Sequence, residues 1–188
     1  CVCIYMKLFF LLSIGVAALR FVVPEYCVCT TVECPMQGKN SLVMGDGNAH
    51  MSYIYDQHGE YLVVASATGT LTPESLDNGS ETTSCTQKYS RMLEDDGLQD
   101  CDAGHILANR LGGYGNQPLN IFPQDPSTNR GIYSQMEGRI YDCMQEANEG
   151  YLSWEFIYAN STSTQPINVV YSAEFDTGCE PMKETFPN

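Results

Sequence analysis

Residues 126–147 hold the one long helical period of this chain, with Ile132, Met136, Ile140, Met144 and Ala147 spaced by fours and threes. Strand-like alternation lies on both sides of it. Residues 41–44, 51–55 and 60–67 read as strands joined by glycine-containing turns, and 152–158 with 167–175 reads as a hairpin across a Ser/Thr loop at 161–164. An amphipathic helix must bury its apolar stripe, and the alternating segments supply the surface for it. The expected architecture is α+β: an antiparallel sheet with one long helix packed on it. Between these parts, 72–86 reads as a surface loop, 88–93 as a short helix, and 106–107 as the continuation of a strand that contains His105.

Chemistry gathers in the stretch just before and within that helix, DAGHILANRLGGYGNQPLNIFPQDPSTNRGIYSQMEGR, residues 102–139. Gly104 removes a Cβ next to His105, where the backbone must approach something closely. An imidazole with an ordinary pKa of about 6.5 can accept a proton from water near neutral pH, which suits a general base. The alternative is a buried, hydrogen-bonded structural histidine. Pro126 and Ser127 mark the helix start, with Ser127 or Thr128 as the capping oxygen. Asn129 falls in the first turn. Glu137 lies about 12 Å further along the axis at ~1.5 Å per residue. Asn129 is therefore assigned as the direct metal ligand, and Glu137 as a group acting on metal-bound water. A neutral amide completed by waters suits a hard hydrated cation, Mg²⁺ with Mn²⁺ as a substitute, rather than zinc.

These residues resemble the sugar-non-specific DNA/RNA endonucleases with a ββα-metal (His-Me finger) site, in the secreted and toxin-type branch. The family's DRGH, N-I/N-L-V-P and Asn-led helix look like DAGH, LNIFPQ and STNRGIYSQME here, in the same order. The flanking segments 53–61 and 154–175 resemble the leading hairpin and closing strands more weakly. The resemblance implies His105 as base, Asn129 as metal ligand, Glu137 as helper, Asp102 as the residue holding the motif turn, and Asn120 as a site-stabilising amide on the substrate side. Ala103 departs from the motif's arginine. Arg130 or Arg110 then has to provide the missing positive charge, with Arg139 as a further substrate contact; a solvated helix face is the alternative for Arg130 and Arg139. The implied activity is metal-dependent hydrolysis of DNA and RNA phosphodiesters. The competing reading is a catalytically silent secreted binding module on the same scaffold. A toxin-like effector with a neutralising inhibitor or immunity protein shares the chemistry.

From Met6, one lysine followed by a short apolar run ending in small residues reads as a secretory signal peptide, with cleavage after Ala17 or Ala18. Residues 1–18 are thus upstream sequence and signal, 19–40 a cysteine-containing lead-in, and 41–188 a single domain. Cys27, Cys29, Cys34, Cys85, Cys101, Cys143 and Cys179 remain, an odd set expected to form up to three disulfides in an oxidising compartment. Bridges from Cys101 and Cys143 would brace the strand and the helix. The net charge of -14 opposes polyanion binding. Its distribution is uneven, because residues 105–139 hold Arg110, Arg130 and Arg139 against Asp125 and Glu137. Weak, salt-sensitive binding at a local positive patch follows, and acidic surroundings are expected to raise the pKa of His105. His50, His58, Trp154 and the tyrosines at 53, 55 and 61 read as structural.

Overall fold

Alternation becomes a six-stranded antiparallel sheet in the order β1-β2-β3-β6-β7-β8, in a computed structural model that describes residues 35–93 and 101–188. Its strands are β1 (Gly38–Met44), β2 (Ala49–His58), β3 (Tyr61–Leu71), β6 (Gly150–Ile157), β7 (Asn168–Phe175) and β8 (Met182–Pro187). A second sheet pairs β4 (Asp102–His105) with β5 (Ile121–Gln124). The helices are α1 (Ser84–Met92), α2 (Pro126–Thr128) and α3 (Ser134–Met144). The signal peptide, Cys27, Cys29, Cys34 and the acidic run at 94–96 lie outside the described residues. β1 starts within the stretch read as lead-in. Among the described residues, no helix is long and apolar enough to cross a membrane.

Alternate residues of β2, β6 and β7 face inward. Met51, Tyr53 and Tyr55 of β2, Leu152, Trp154 and Phe156 of β6, and Val169, Tyr171 and Ala173 of β7 are buried, where each large apolar side chain contributes about 1.5–3 kcal/mol. Tyr53, Tyr55 and Trp154 are therefore core residues. His50 is exposed, and His58 is engaged with the Ser163 carbonyl and the Tyr158 ring. The ββα unit of β4, β5 and the helix packs on this face. Three polar contacts fix it there: Tyr53 Oη donates to Asn120 Oδ1, Tyr55 Oη to the Leu119 carbonyl, and Trp154 Nε1 to Tyr133 Oη.

The helix differs from its sequence reading in two ways. Asp125 caps it, accepting from the Thr128 amide at 2.9 Å, because Ser127 already lies inside the first turn and donates to the same carboxylate. A wide π-type turn at Asn129–Tyr133, with Gly131 at φ -108° and ψ -110°, joins α2 to α3. The extra residue in this turn rotates Ile132 to a 46 % exposed position and swings Tyr133 into the core. Met136, Ile140, Met144 and Ala147 keep their buried places.

Other boundaries move for similar local reasons. Residues 106–107 do not extend β4: the Ile106 amide donates to the Asn120 carbonyl and Leu107 turns onto the Asn120 side chain. α1 begins at Ser84, where Thr83 and Thr86 form a reciprocal capping box. The loop it follows contains a helical turn at Pro73–Ser75. β8 has Phe186 as its one buried side chain, a pattern too sparse for periodicity to find. Cys143 is bridged to Cys179, tying the end of α3 to the β7–β8 connection, and Cys85 is also disulfide-bonded. Cys101 is buried with its sulfur 3.6 Å from Ser90 Oγ.

Candidate active site

The β4–β5 hairpin sets His105 opposite Ile121 and Asp102 opposite Gln124. Gly104 is required here, since a Cβ would collide with the Gln124 side chain. Gly115 lies equally close: a Cβ there would stand 2.6 Å from His105 Nε2. His105 Nε2 is 3.1 Å from the Ser80 carbonyl. A carbonyl only accepts, so this contact places the ring proton on Nε2 and leaves Nδ1 with its lone pair. Burial lowers the His105 pKa, and it outweighs the Ser80 carbonyl and Glu81, both of which raise it. The expectation that acidic surroundings would raise this pKa is thus corrected: a charged imidazole loses more hydration here than the nearby carboxylate returns.

Asn129 enters the site from the first turn of the helix. Its Nδ2 donates to Asp102 Oδ2 at 2.9 Å, which leaves the carboxamide oxygen as the atom offered to the site. Arg130 binds the same carboxylate twice, from Nε at 2.9 Å and Nη2 at 2.5 Å. Asp102 thereby positions both the amide and the guanidinium. Two clefts share His105 and Asn129. The first, about 440 Å³, is lined by Asp77, Glu81 and Glu137 with Arg110, Asn109 and Ser134. The second, about 380 Å³, is lined by Arg91 and Arg130 with Asp102, Ala103, Thr82 and Gln87. Carboxylates dominate one side and guanidiniums the other. Burial raises the Glu137 pKa to about 8, against a downward pull from Arg110, so its charge is held short of hydration.

A hard cation fits the first cleft. The available donors are oxygens, and both the Asn129 carboxamide and the under-solvated Glu137 carboxyl gain from a positive neighbour. Asn129 and Glu137, two helical turns apart, do line the same cleft.

Two assigned residues do not reach the site. Asn120 is fully buried: its Oδ1 accepts from Tyr53 Oη and the Leu107 amide, and its Nδ2 donates to the Leu107 and Tyr114 carbonyls. With no exposed atom it cannot touch substrate, and it acts by clamping the backbone just after His105. Arg139 is ion-paired with Glu184 of β8 and lines neither cleft, because the helix turns it toward the sheet edge. Conversely, Asp77, Ser80, Glu81, Thr82, Gln87, Arg91 and Ser134 belong to the site and carry no local signal beyond ordinary loop and helix polarity.

A hairpin ending in histidine, backed by a helix that offers an amide oxygen in its first turn, defines a ββα-metal nuclease scaffold. The chain belongs to the DNA/RNA non-specific endonuclease family, whose sequence model matches residues 43–174. It is 38% identical over 114 residues to the probable deoxyribonuclease RhsA of Dickeya dadantii (strain 3937), a match covering 61% of this chain and 8% of that protein. The fold is shared with a chain of the EndoG/EndoGI complex, at TM-score 0.57 and 12% identity over 82% of this chain and 75% of that one. It is also shared with NucA from Streptococcus agalactiae with magnesium ion bound, at TM-score 0.51 and 14% identity over 80% and 84%.

Proposed function

We propose that this chain is a secreted, divalent-metal-dependent endonuclease that hydrolyses DNA and RNA phosphodiesters without sequence preference, with Mg²⁺ as its ion and Mn²⁺ as a substitute. The observation that carries the reading is the opposed charge of two clefts meeting at His105 and Asn129: one suits a cation, the other a phosphate. In this reading His105 Nδ1 takes a proton from the attacking water, and the Ser80 carbonyl steadies the resulting imidazolium through Nε2–H. Asn129 Oδ1 would hold the metal and Glu137 would act on its water shell. A bound divalent ion supplies charge stabilisation to the phosphate and the leaving oxygen. Asp102 keeps Asn129 and Arg130 in place while this happens. The apolar run after Lys7 supports export. A protein inhibitor belongs to the same reading, supported by the complex in which EndoG is bound by EndoGI.

The test is incubation of plasmid DNA and a structured RNA with purified protein and Mg²⁺. Both substrates are degraded, EDTA stops the reaction, and His105→Ala and Asn129→Ala abolish it. Degradation that persists undiminished in His105→Ala would overturn the proposal.

A further inference from the structure

Among the described residues, three guanidiniums line the paired clefts, and two of them already face partners. Arg130 spends its fork on both oxygens of Asp102. Arg110 sits 6.0 Å over the Tyr141 ring and is the cation facing Glu137. The third, Arg91, lines the second cleft beside Asp102, Ala103 and His105, is exposed, and forms no ion pair among the described residues.

Its helix is fixed to the reacting strand. Ser90 Oγ, one residue earlier, donates to the Asp102 carbonyl at 3.1 Å. Thr86 Oγ1 donates to the Gly115 carbonyl at 2.7 Å, beside the His105 ring. Tyr89 and Leu93 are buried with Ile121 on the opposite face of α1. Four residues before Arg91, Gln87 lines the same cleft and donates to Thr82 Oγ1, so one face of α1 forms a polar wall. Ala103, across this wall, has no charge of its own.

We propose that Arg91 binds a phosphate of the nucleic acid strand lying in the second cleft, supplying next to His105 the positive charge that Ala103 lacks. The inference rests on the nuclease reading for its ligand. An exposed arginine on a fixed helix can meet phosphate oxygens through two parallel N–H donors, which a lysine reproduces in charge but not in geometry. Arg130 already has its Nε and Nη2 donors on Asp102, which offsets part of its charge, whereas Arg91 offers its whole fork to the cleft.

Binding tests this separately from turnover. In a His105→Ala background with Mg²⁺, a fluorescein-labelled single-stranded 20-mer is titrated by anisotropy across a NaCl series. Arg91→Ala weakens binding about five- to tenfold, and the slope of log K against log [salt] falls by about 0.7, the loss of one single-strand phosphate contact. Arg91→Lys retains the slope and most of the affinity, and Arg91→Glu binds more weakly than Arg91→Ala. Parental affinity and slope in Arg91→Ala would overturn the inference, as would a slope in Arg91→Lys that falls as far as in Arg91→Ala, which marks a structural role. So would failure of the parent to bind the oligonucleotide. Binding that behaves as expected, beside a His105-intact protein that cleaves nothing, would overturn the nuclease reading alone.

Discussion

Asn120→Ala removes a side chain that touches no solvent, and its cost can be built from the groups it leaves behind. The Leu107 amide and carbonyl, both buried, each lose a 2.9 Å partner, and the buried Tyr53 hydroxyl loses its 3.1 Å acceptor. The 3.4 Å contact to the Tyr114 carbonyl, which is only part-buried, adds little. At about 1–1.5 kcal/mol for each buried group left unsatisfied, the loss is about 3–4 kcal/mol. For a domain of this size that lowers the melting temperature by about 10 °C. Urea denaturation measures it. Tyr53→Phe alone costs about 1 kcal/mol or less, because Asn120 Oδ1 still accepts from Leu107. Since the hydroxyl and the amide share one contact, the double variant costs less than the sum of the singles. Nuclease activity should fall by more than the unfolded fraction explains, because the released segment follows His105 directly. A loss under about 1 kcal/mol in Asn120→Ala, or strict additivity with Tyr53→Phe, would refute the clamp.

The lowered His105 pKa places the neutral base at lower pH than usual, so the rate should rise through an inflection below 6.5 and be flat by neutrality; an inflection above 7 counts against it. The same group binds protons more tightly unfolded than folded, so its contribution to stability is present above about 6.5 and lost as pH falls; His105→Asn should flatten that limb. Glu137 has the opposite sign. With its pKa raised from 4.5 to about 8, metal-free protein should lose stability as pH rises between those values, by at most about 5 kcal/mol at ~1.4 per unit, and Glu137→Gln should remove the slope. Cleft exposure makes that figure a ceiling, and a slope unchanged in Glu137→Gln sinks the assignment. Arg139→Ala should cost under about 1 kcal/mol by thermal melt and leave cleavage within twofold. The paired change Cys143→Ser with Cys179→Ser opens a loop of sequence separation 36 and should cost about 3–4 kcal/mol, read from denaturant midpoints.

That His105, Asn129 and Glu137 share a cleft is legible in the sequence, because they fall in one short stretch with a motif order and a helical frame. The stabilising role of Asn120 is legible from the motif, but its placement on the substrate side is not, since nothing local says that it faces inward toward Tyr53. Arg139 departs from its expected role for a related reason: its position on the helix is visible in the sequence, while the β8 carboxylate that captures it lies 45 residues away. The stretch 72–86 is the part of the site least visible in the sequence. Its composition is that of any polar loop, and only the folded chain shows that Ser80 offers a carbonyl to His105 while Asp77 and Glu81 face the cleft. Ile132 failed through backbone geometry. A periodic template assumes an even winding, and the wide turn at Asn129–Tyr133 breaks it.

The ββα unit is spliced between β3 and β6, neighbours at the centre of the large sheet that pair from Ser66↔Glu155 to Leu71↔Gly150. Closing that seam demands a long loop closure, so assembly is governed by distant contacts rather than local ones. The helix bearing Asn129 is further seated by β8, where Thr128 Oγ1 donates to the Pro187 carbonyl and Phe186 meets the Tyr133 ring. Removing β8 would therefore take away two supports of the helix that carries Asn129 while leaving His105 and Asn129 themselves in the chain.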